Sequence, residues 1–284
     1  MPRIALNCLD GASLNVDYIA GKKDPVLALH GFTGNISTWD NLVKALKGEY
    51  TAIRVDVLGH GLSDSPEETG LYDMEHTLQA LNEILDKLAV PRVHWLGYSM
   101  GGRIALSAAA ALPERTCSLI CESGSPGLRT PEERSSRARS DAEIANRIEQ
   151  QGIPSFVTYW ESLPLWNSQA RLPRETRERL RLQRLTNNAR GLANSLRGMG
   201  TGSQPPLFEK LQNIRAPACF MAGAEDSKFA DLAREMQREV TGSRLEIVQH
   251  SGHAIHLEQP EVFNRTVLDF LRSQPGHPAG KGKR

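Results

Sequence analysis

The sequence lacks several features that define whole classes of protein. Its formal net charge at pH 7 is only +1, from 34 basic and 33 acidic side chains, so its overall charge does not favour nucleic acid. No apolar run is long enough to span a bilayer, and the N-terminus has no basic segment followed by an apolar one. We therefore expect a cytoplasmic protein without a nucleic-acid partner or membrane insertion.

Cysteine is also scarce. The four cysteines, at positions 8, 117, 121 and 219, show neither metal-ligand spacing nor the pattern of a disulfide framework. The sequence therefore gives no reason to expect a bound metal. A composition of 39% hydrophobic and 24% charged residues over 284 positions is ordinary for one large core with an insertion.

Strand-like and helical segments alternate along the chain, which predicts a mostly parallel central sheet flanked by helices. After residue 127 the alternation stops, and helical, arginine-rich sequence continues to about Pro206 before strands resume at Ala218. We interpret this insertion as a helical lid. The predicted organisation is a core in two parts (1–123 and 207–272), the lid (124–206) and a flexible basic tail (273–284).

The sequence Gly97-Tyr98-Ser99-Met100-Gly101 matches the pattern G-x-S-x-G. It follows an apolar run typical of a strand and opens an alanine-rich stretch typical of a helix, which is the setting this nucleophile motif requires. The glycines suit a chain reversal too tight for a Cβ atom. Ser99 is therefore the candidate nucleophile or base.

A serine hydroxyl becomes reactive only when an imidazole takes its proton and a carboxylate orients that imidazole. Asp226 follows a buried strand-like run and is the candidate acid, with Glu225 as the rival. His253 lies in the loop before the last predicted helix and is the candidate base. His250 and His256 are weaker alternatives for the same role.

A glycine-rich loop follows the strand-like run at residues 25–29. In the sequence His30-Gly31-Phe32, the Phe32 amide is placed to converge with the Met100 amide on a developing oxyanion. His30 is interpreted as a residue that supports this loop. His60, in a second loop beside the site, is interpreted as structural, although a ligand contact is open.

Lysine is absent between Arg129 and Arg197, where every cationic side chain is arginine. One interpretation is a solvated helical face, because arginine favours helices and acidic residues lie nearby. The other is that some guanidinium groups bind substrate carboxylates in pairs of hydrogen bonds. Arg103, one helical turn after Ser99, favours the second interpretation because its charge would lie beside the reacting centre.

The chain resembles the 2-succinyl-6-hydroxy-2,4-cyclohexadiene-1-carboxylate synthases, lyases of menaquinone biosynthesis with the α/β-hydrolase fold. The resemblance covers nearly all of the chain except the tail. It rests on Tyr98, Ser99 and Arg103 and on four lid motifs, at residues 134–141, 159–161, 182–188 and 191–202.

This resemblance implies elimination of pyruvate from a substrate with three carboxylates, without a metal or organic cofactor. It also implies that Tyr98 and Trp160 line the pocket and that Arg103, Arg137 and Arg184 bind carboxylates. Arg139 is a rival to Arg137 because both lie in one short stretch. The alternatives are a hydrolase acting on an anionic ester, thioester or carbon–carbon bond, and a non-catalytic binding protein with the same fold.

Overall fold

A computed structural model describes residues 3–274, so most of the predicted basic tail, 275–284, lies outside the described residues. Eight strands of the described chain form one sheet in the order β1-β2-β4-β3-β5-β6-β7-β8. These strands are β1 (Arg3–Ala5), β2 (Ser13–Ile19), β3 (Lys23–Leu29), β4 (Tyr50–Val55), β5 (Val93–Tyr98), β6 (Thr116–Glu122), β7 (Ala218–Gly223) and β8 (Arg244–Val248).

The sheet is parallel from β3 and β4 through β8, and antiparallel only where β2 joins β1 and β4. This architecture confirms the predicted mostly parallel sheet flanked by helices. In such a sheet the carboxyl ends of neighbouring strands meet at one edge, where ligand sites of α/β proteins lie. The loops that follow β3, β5 and β7 therefore approach one another.

Nine α-helices occur among residues 3–274. They are α1 (Asp40–Leu46), α2 (Met74–Lys87), α3 (Met100–Ala111), α4 (Pro131–Glu161), α5 (Arg174–Leu185), α6 (Ala189–Met199), α7 (Ser227–Glu239), α8 (Ile255–Glu258) and α9 (Pro260–Arg272). A helix able to cross a membrane is not found in this part of the chain.

The central strands are buried on both faces, which explains their nearly continuous apolar sequences. In β3, Val26 and Ala28 face a core layer with α1 and α9, whereas Leu27 and Leu29 face a second layer with α2 and α3. This alternation follows from the two-residue repeat of a strand. The two layers hold the sheet rigid, so the loops at its carboxyl edge start from fixed positions.

Between β6 and β7 the described chain forms helices α4, α5 and α6 and contains no strand. Helix α4 breaks at Gly152, whose φ of 76° is left-handed, two residues before Pro154. The two halves pack against α6 through a small core of their own that includes Ile148, Phe156 and Leu192. The boundaries predicted for the lid stay a prediction.

Candidate active site

Ser99 lies in a sharp turn between β5 and α3 and has a strained backbone, with φ 52° and ψ −108°. A Cβ on Gly97 would lie 2.0 Å from the Gly101 carbonyl oxygen, and one on Gly101 would lie 2.0 Å from the Leu29 oxygen. The Ser99 amide donates to the Glu122 carbonyl oxygen at 2.8 Å. Close packing of the turn against β3 and β6 therefore requires both glycines and fixes the serine.

His253 joins Ser99 to Asp226. Its Nε2 lies 2.9 Å from Ser99 Oγ, and its Nδ1 lies 2.6 Å from Asp226 Oδ2. The carboxylate at Nδ1 favours the tautomer with the proton on that nitrogen, which leaves Nε2 free to accept the serine proton. The geometry is therefore that of a serine, histidine and aspartate triad.

The rival residues lie elsewhere. Glu225 forms an exposed ion pair with Arg171, whose Nη2 lies 2.8 Å from Glu225 Oε2. His250 is exposed in a turn with φ 57°. His256 is buried, and its Nδ1 lies 2.9 Å from the carboxylate of Glu122. None of these three side chains is bonded to Ser99 in the described structure.

The loop after β3 is held by His30. Its Nε2 accepts a hydrogen bond from the Val57 amide at 3.1 Å, so Nδ1 carries the proton and donates to the Gly31 oxygen at 2.8 Å. Burial lowers the pKa of His30 to about 4, which keeps the ring neutral. This agrees with the interpretation of His30 as a support for the loop.

Phe32 and Met100 both line the cavity that contains Ser99. No hydrogen bond occupies either amide within residues 3–274. Their role as oxyanion donors stays a prediction. His60 lies behind Phe32, with ring centroids 5.7 Å apart, and burial lowers its pKa to about 3.

The cavity above Ser99 has a volume of about 750 Å³ and reaches from the triad to the lid. Tyr98, Ser99 and His253 form its floor, and Trp160 from α4 lies in its wall. The rings of Trp166 and Phe229 also contact His253, with centroids 5.6 and 4.5 Å away. These aromatic side chains shield the imidazole from water, which strengthens electrostatic interactions at the site.

Arg103 extends from α3 into this cavity and is only 8% exposed. Its Nη1 donates to Gln204 Oε1 at 3.1 Å, and no described carboxylate lies within ion-pair distance of it. Burial lowers its pKa to about 10, so the group remains cationic at neutral pH. Asp141 is a favourable charge nearby but forms its ion pair with Arg137, so the buried Arg103 guanidinium remains costly unless an anion binds there.

Arg137 and Arg139 are only two residues apart on α4 but have different surroundings. Arg137 lines the cavity, and its Nε donates to Asp141 Oδ1 at 2.8 Å. Asp141 is itself buried, so it holds the guanidinium in one orientation. Arg139 donates to Ser135 Oγ at 2.8 Å and does not line the cavity. The structure therefore favours Arg137 over its rival.

Comparison with known proteins identifies the fold family and several relatives. The model of the α/β-hydrolase fold family matches residues 24–260. A Bacillus subtilis protein, named provisionally as a 2-succinyl-6-hydroxy-2,4-cyclohexadiene-1-carboxylate synthase, is 43% identical over 96% of this chain and 100% of its own length. The synthase of Shigella flexneri serotype 5b is 32% identical over 86% of this chain and 92% of its own.

The chain belongs to the 2-succinyl-6-hydroxy-2,4-cyclohexadiene-1-carboxylate synthase family of α/β hydrolases. It is therefore an enzyme of the α/β-hydrolase superfamily. The solved structure of MenH from S. aureus superposes with a TM-score of 0.87 at 32% identity, covering 90% of this chain and 97% of that one. A malate-bound esterase from Thermogutta terrifontis, at 24% identity and a TM-score of 0.84, shows the shared fold alone.

Arg184 differs from the other arginines for which the synthase family suggested a binding role. It does not line the Ser99 cavity but a neighbouring one of about 150 Å³ that shares Tyr98 and Trp166 with it. Its Nη1 lies 3.1 Å from Glu161, and its guanidinium lies over the Trp166 ring. The role of Arg184 stays a prediction.

Several residues at this synthase-family site were not found from the sequence. Gln204 orients Arg103, Asp141 orients Arg137, and Trp166 covers His253. Glu122 links the Ser99 turn to helix α8, because its main-chain oxygen accepts from the Ser99 amide and its carboxylate accepts from the His256 amide at 3.0 Å. Only the acidic end of a strand-like run marks Glu122 in the sequence.

Proposed function

We propose that this chain eliminates pyruvate from 2-succinyl-5-enolpyruvyl-6-hydroxy-3-cyclohexene-1-carboxylate to give 2-succinyl-6-hydroxy-2,4-cyclohexadiene-1-carboxylate, a step of menaquinone biosynthesis. It would thus act as a carbon–oxygen lyase. Membership of the synthase family supports this activity. The observation that carries the proposal is the buried, unpaired Arg103 guanidinium one helical turn from Ser99.

The substrate has three carboxylates, on the ring, the succinyl chain and the enolpyruvyl group. Arg103 offers free donors inside the cavity, and Arg137 offers a guanidinium already oriented by Asp141. Charge-assisted pairs of this kind fix both position and orientation, because guanidinium and carboxylate groups match in two parallel hydrogen bonds. A small polycarboxylate is therefore the ligand class that this cavity fits.

The first chemical step is removal of the proton at ring carbon 2, which is acidified by the adjacent succinyl ketone. Ser99 Oγ takes this proton while its own proton passes to His253 Nε2, and Asp226 stabilises the resulting imidazolium. The Phe32 and Met100 amides donate to the enolate oxygen that develops. The negative charge is thus met by donors that were already in place.

The second step expels the leaving group. As the ketone reforms, a double bond forms between ring carbons 2 and 3, the existing double bond moves to carbons 4 and 5, and the carbon–oxygen bond at carbon 5 breaks. Enolpyruvate leaves with the electron pair and becomes pyruvate when its methylene carbon gains a proton. His253 supplies the equivalent of the proton that was removed, so atoms and electrons balance without an acyl-enzyme.

One assay tests this function directly. The enolpyruvyl substrate is generated enzymatically, the purified protein is added, and pyruvate release is followed together with the absorbance of the new conjugated diene. We expect both products in equal amounts and poor turnover of neutral p-nitrophenyl esters. Rapid ester hydrolysis with no pyruvate release would instead assign the chain to the hydrolases.

The two neighbouring arginines of α4 provide a matched test of carboxylate binding. We expect Arg137→Ala to lower kcat/KM for the enolpyruvyl substrate by about 10- to 100-fold, because a charge-assisted contact is worth about 1.5–3 kcal/mol. Arg139→Ala removes the same charge two residues away, outside the cavity, and should change kcat/KM by less than about twofold. Equal losses in the two variants would show that only overall charge matters.

A further inference from the structure

Three side chains with metal-binding donors lie close together at the amino ends of the parallel strands, opposite the ends that carry Ser99. Asp24, His94 and Cys117 are each the second residue of a strand, in β3, β5 and β6 respectively. One donor atom from each lies within 4.8 Å of the other two. Because β5 lies between β3 and β6, His94 stands between the other two residues.

Two irregularities in strand pairing occur at this meeting point. The register of β3 against β4 shifts between Lys23 and Val26, which places Asp24 within the irregular segment. The register of β5 against β6 shifts at His94, which pairs with Ser118 and leaves Cys117 out of the regular ladder. Bulges of this kind re-aim a side chain that strict alternation would direct to the other face.

The donors are in suitable chemical states. The Nδ1 of His94 lies 2.8 Å from Ser118 Oγ, which leaves its Nε2 for another partner. Burial lowers the pKa of His94 to about 4, so the ring is neutral and keeps a lone pair. Burial and the charge of Asp24 raise the pKa of the Cys117 thiol to about 11, so a bound cation is needed to ionise it near neutral pH.

We propose that Asp24, His94 and Cys117 bind a divalent transition-metal ion of the Zn²⁺ class, with solvent as the fourth ligand. Sulfur, imidazole and carboxylate donors in tetrahedral arrangement are the set that Zn²⁺ accepts. Metal–ligand bonds of about 2.0–2.3 Å require donors about 3.4 Å apart, so donors that lie up to 4.8 Å apart must approach by up to about 1.4 Å. Asp24 and Cys117 are partly exposed, which gives the ion a path from solvent.

The charge balance is consistent with a dication. The Asp24 carboxylate and an ionised Cys117 together supply two negative charges. Arg92 opposes the ion, because its positive charge lies near enough to act on both His94 and Cys117, while its Nη2 donates to the Thr116 carbonyl oxygen at 2.6 Å. The site is at the edge of the sheet away from the triad, so we expect the ion to stabilise the strands without entering the reaction.

Co²⁺ is the probe for this site because thiolate ligation gives it a charge-transfer band in the near ultraviolet. The reduced protein, freed of metal with a chelator, is titrated with Co²⁺ and then with Zn²⁺. We expect the band to appear at one equivalent and to be lost when Zn²⁺ displaces the cobalt. Absence of the band at millimolar Co²⁺ would overturn the proposal.

Variants assign the ligands. Cys117→Ser should abolish the band, whereas Cys8→Ser, which changes another partly exposed cysteine, should leave it unchanged. Asp24→Asn keeps the shape of the side chain and should weaken Co²⁺ binding by about tenfold or more while retaining the native circular dichroism spectrum. A band that survives Cys117→Ser would refute the site even if the protein binds cobalt elsewhere.

A stability measurement gives an independent readout. Zn²⁺ at about 100 times its dissociation constant should raise the Tm of the wild-type protein by roughly 5–10 °C relative to the chelator-treated protein. The Asp24→Asn protein should show a much smaller rise, and kcat should be the same with and without Zn²⁺. An equal rise in Tm for both proteins would contradict binding at these residues.

Discussion

Replacing any member of the triad is expected to lower kcat for pyruvate release by about 10³-fold or more. Ser99→Ala removes the atom that accepts the substrate proton, and His253→Ala removes the acceptor 2.9 Å behind it. Asp226→Asn replaces the carboxylate that holds the Nδ1 proton, so the imidazole loses its favoured tautomer. KM should change little, because none of the three side chains is proposed to bind a carboxylate.

The three substitutions should combine far from additively, because the residues move one proton as a unit. The double variant Ser99→Ala with His253→Ala should therefore be only slightly slower than the slower single variant. Glu225→Gln is the matched control for Asp226→Asn, since Glu225 is the adjacent acid but pairs with Arg171. We expect it to retain at least about half of the wild-type kcat.

Two outcomes would contradict this assignment. Near-normal turnover by Ser99→Ala would show that another group removes the proton. A covalent adduct of about the acyl mass, seen by mass spectrometry during turnover of the native substrate, would show nucleophilic attack by Ser99 instead of proton removal. The proposed mechanism requires that Ser99→Ala loses activity and that the wild-type protein forms no adduct during turnover.

The parts of the fold predicted correctly from sequence are those with local causes. The sheet was predictable because buried parallel strands are apolar on both faces, and the turn at Ser99 was predictable because Gly97 and Gly101 have no room for a Cβ. The order of Ser99, Asp226 and His253 along the chain indicated a triad before any distance was known. These features depend on a few neighbouring residues or on chain order, which a sequence displays directly.

The parts that sequence did not reveal depend on distant residues. Gln204 meets Arg103 across 101 positions, and the glutamate that holds Arg184 belongs to a different helix. The group at His94 lies where two strand pairings are irregular, and its cysteine showed no metal-ligand spacing along the chain. Such contacts arise only when the sheet brings separate segments together, so no local pattern predicts them.

Arg103 is expected to contribute to catalysis at the expense of stability. Arg103→Met should lower kcat/KM by about 10- to 100-fold, because the substrate loses a charge-assisted contact in a buried site. The same change should raise the Tm of the free protein, because it removes a buried cation that has no described carboxylate partner. Relief of about 1–2 kcal/mol corresponds to a rise of about 2–8 °C for a chain of this size.

The opposite signs of these two effects separate substrate binding from a structural role. A structural arginine would lose stability and activity together when replaced, whereas one kept for an anionic ligand loses activity while the free protein gains stability. Arg103→Lys keeps the charge but lacks the paired donors, so it should recover only part of kcat/KM and none of the gain in Tm. A fall in Tm for Arg103→Met, with kcat/KM within about twofold of wild type, would contradict carboxylate binding by Arg103. The proposed substrate class depends on that binding.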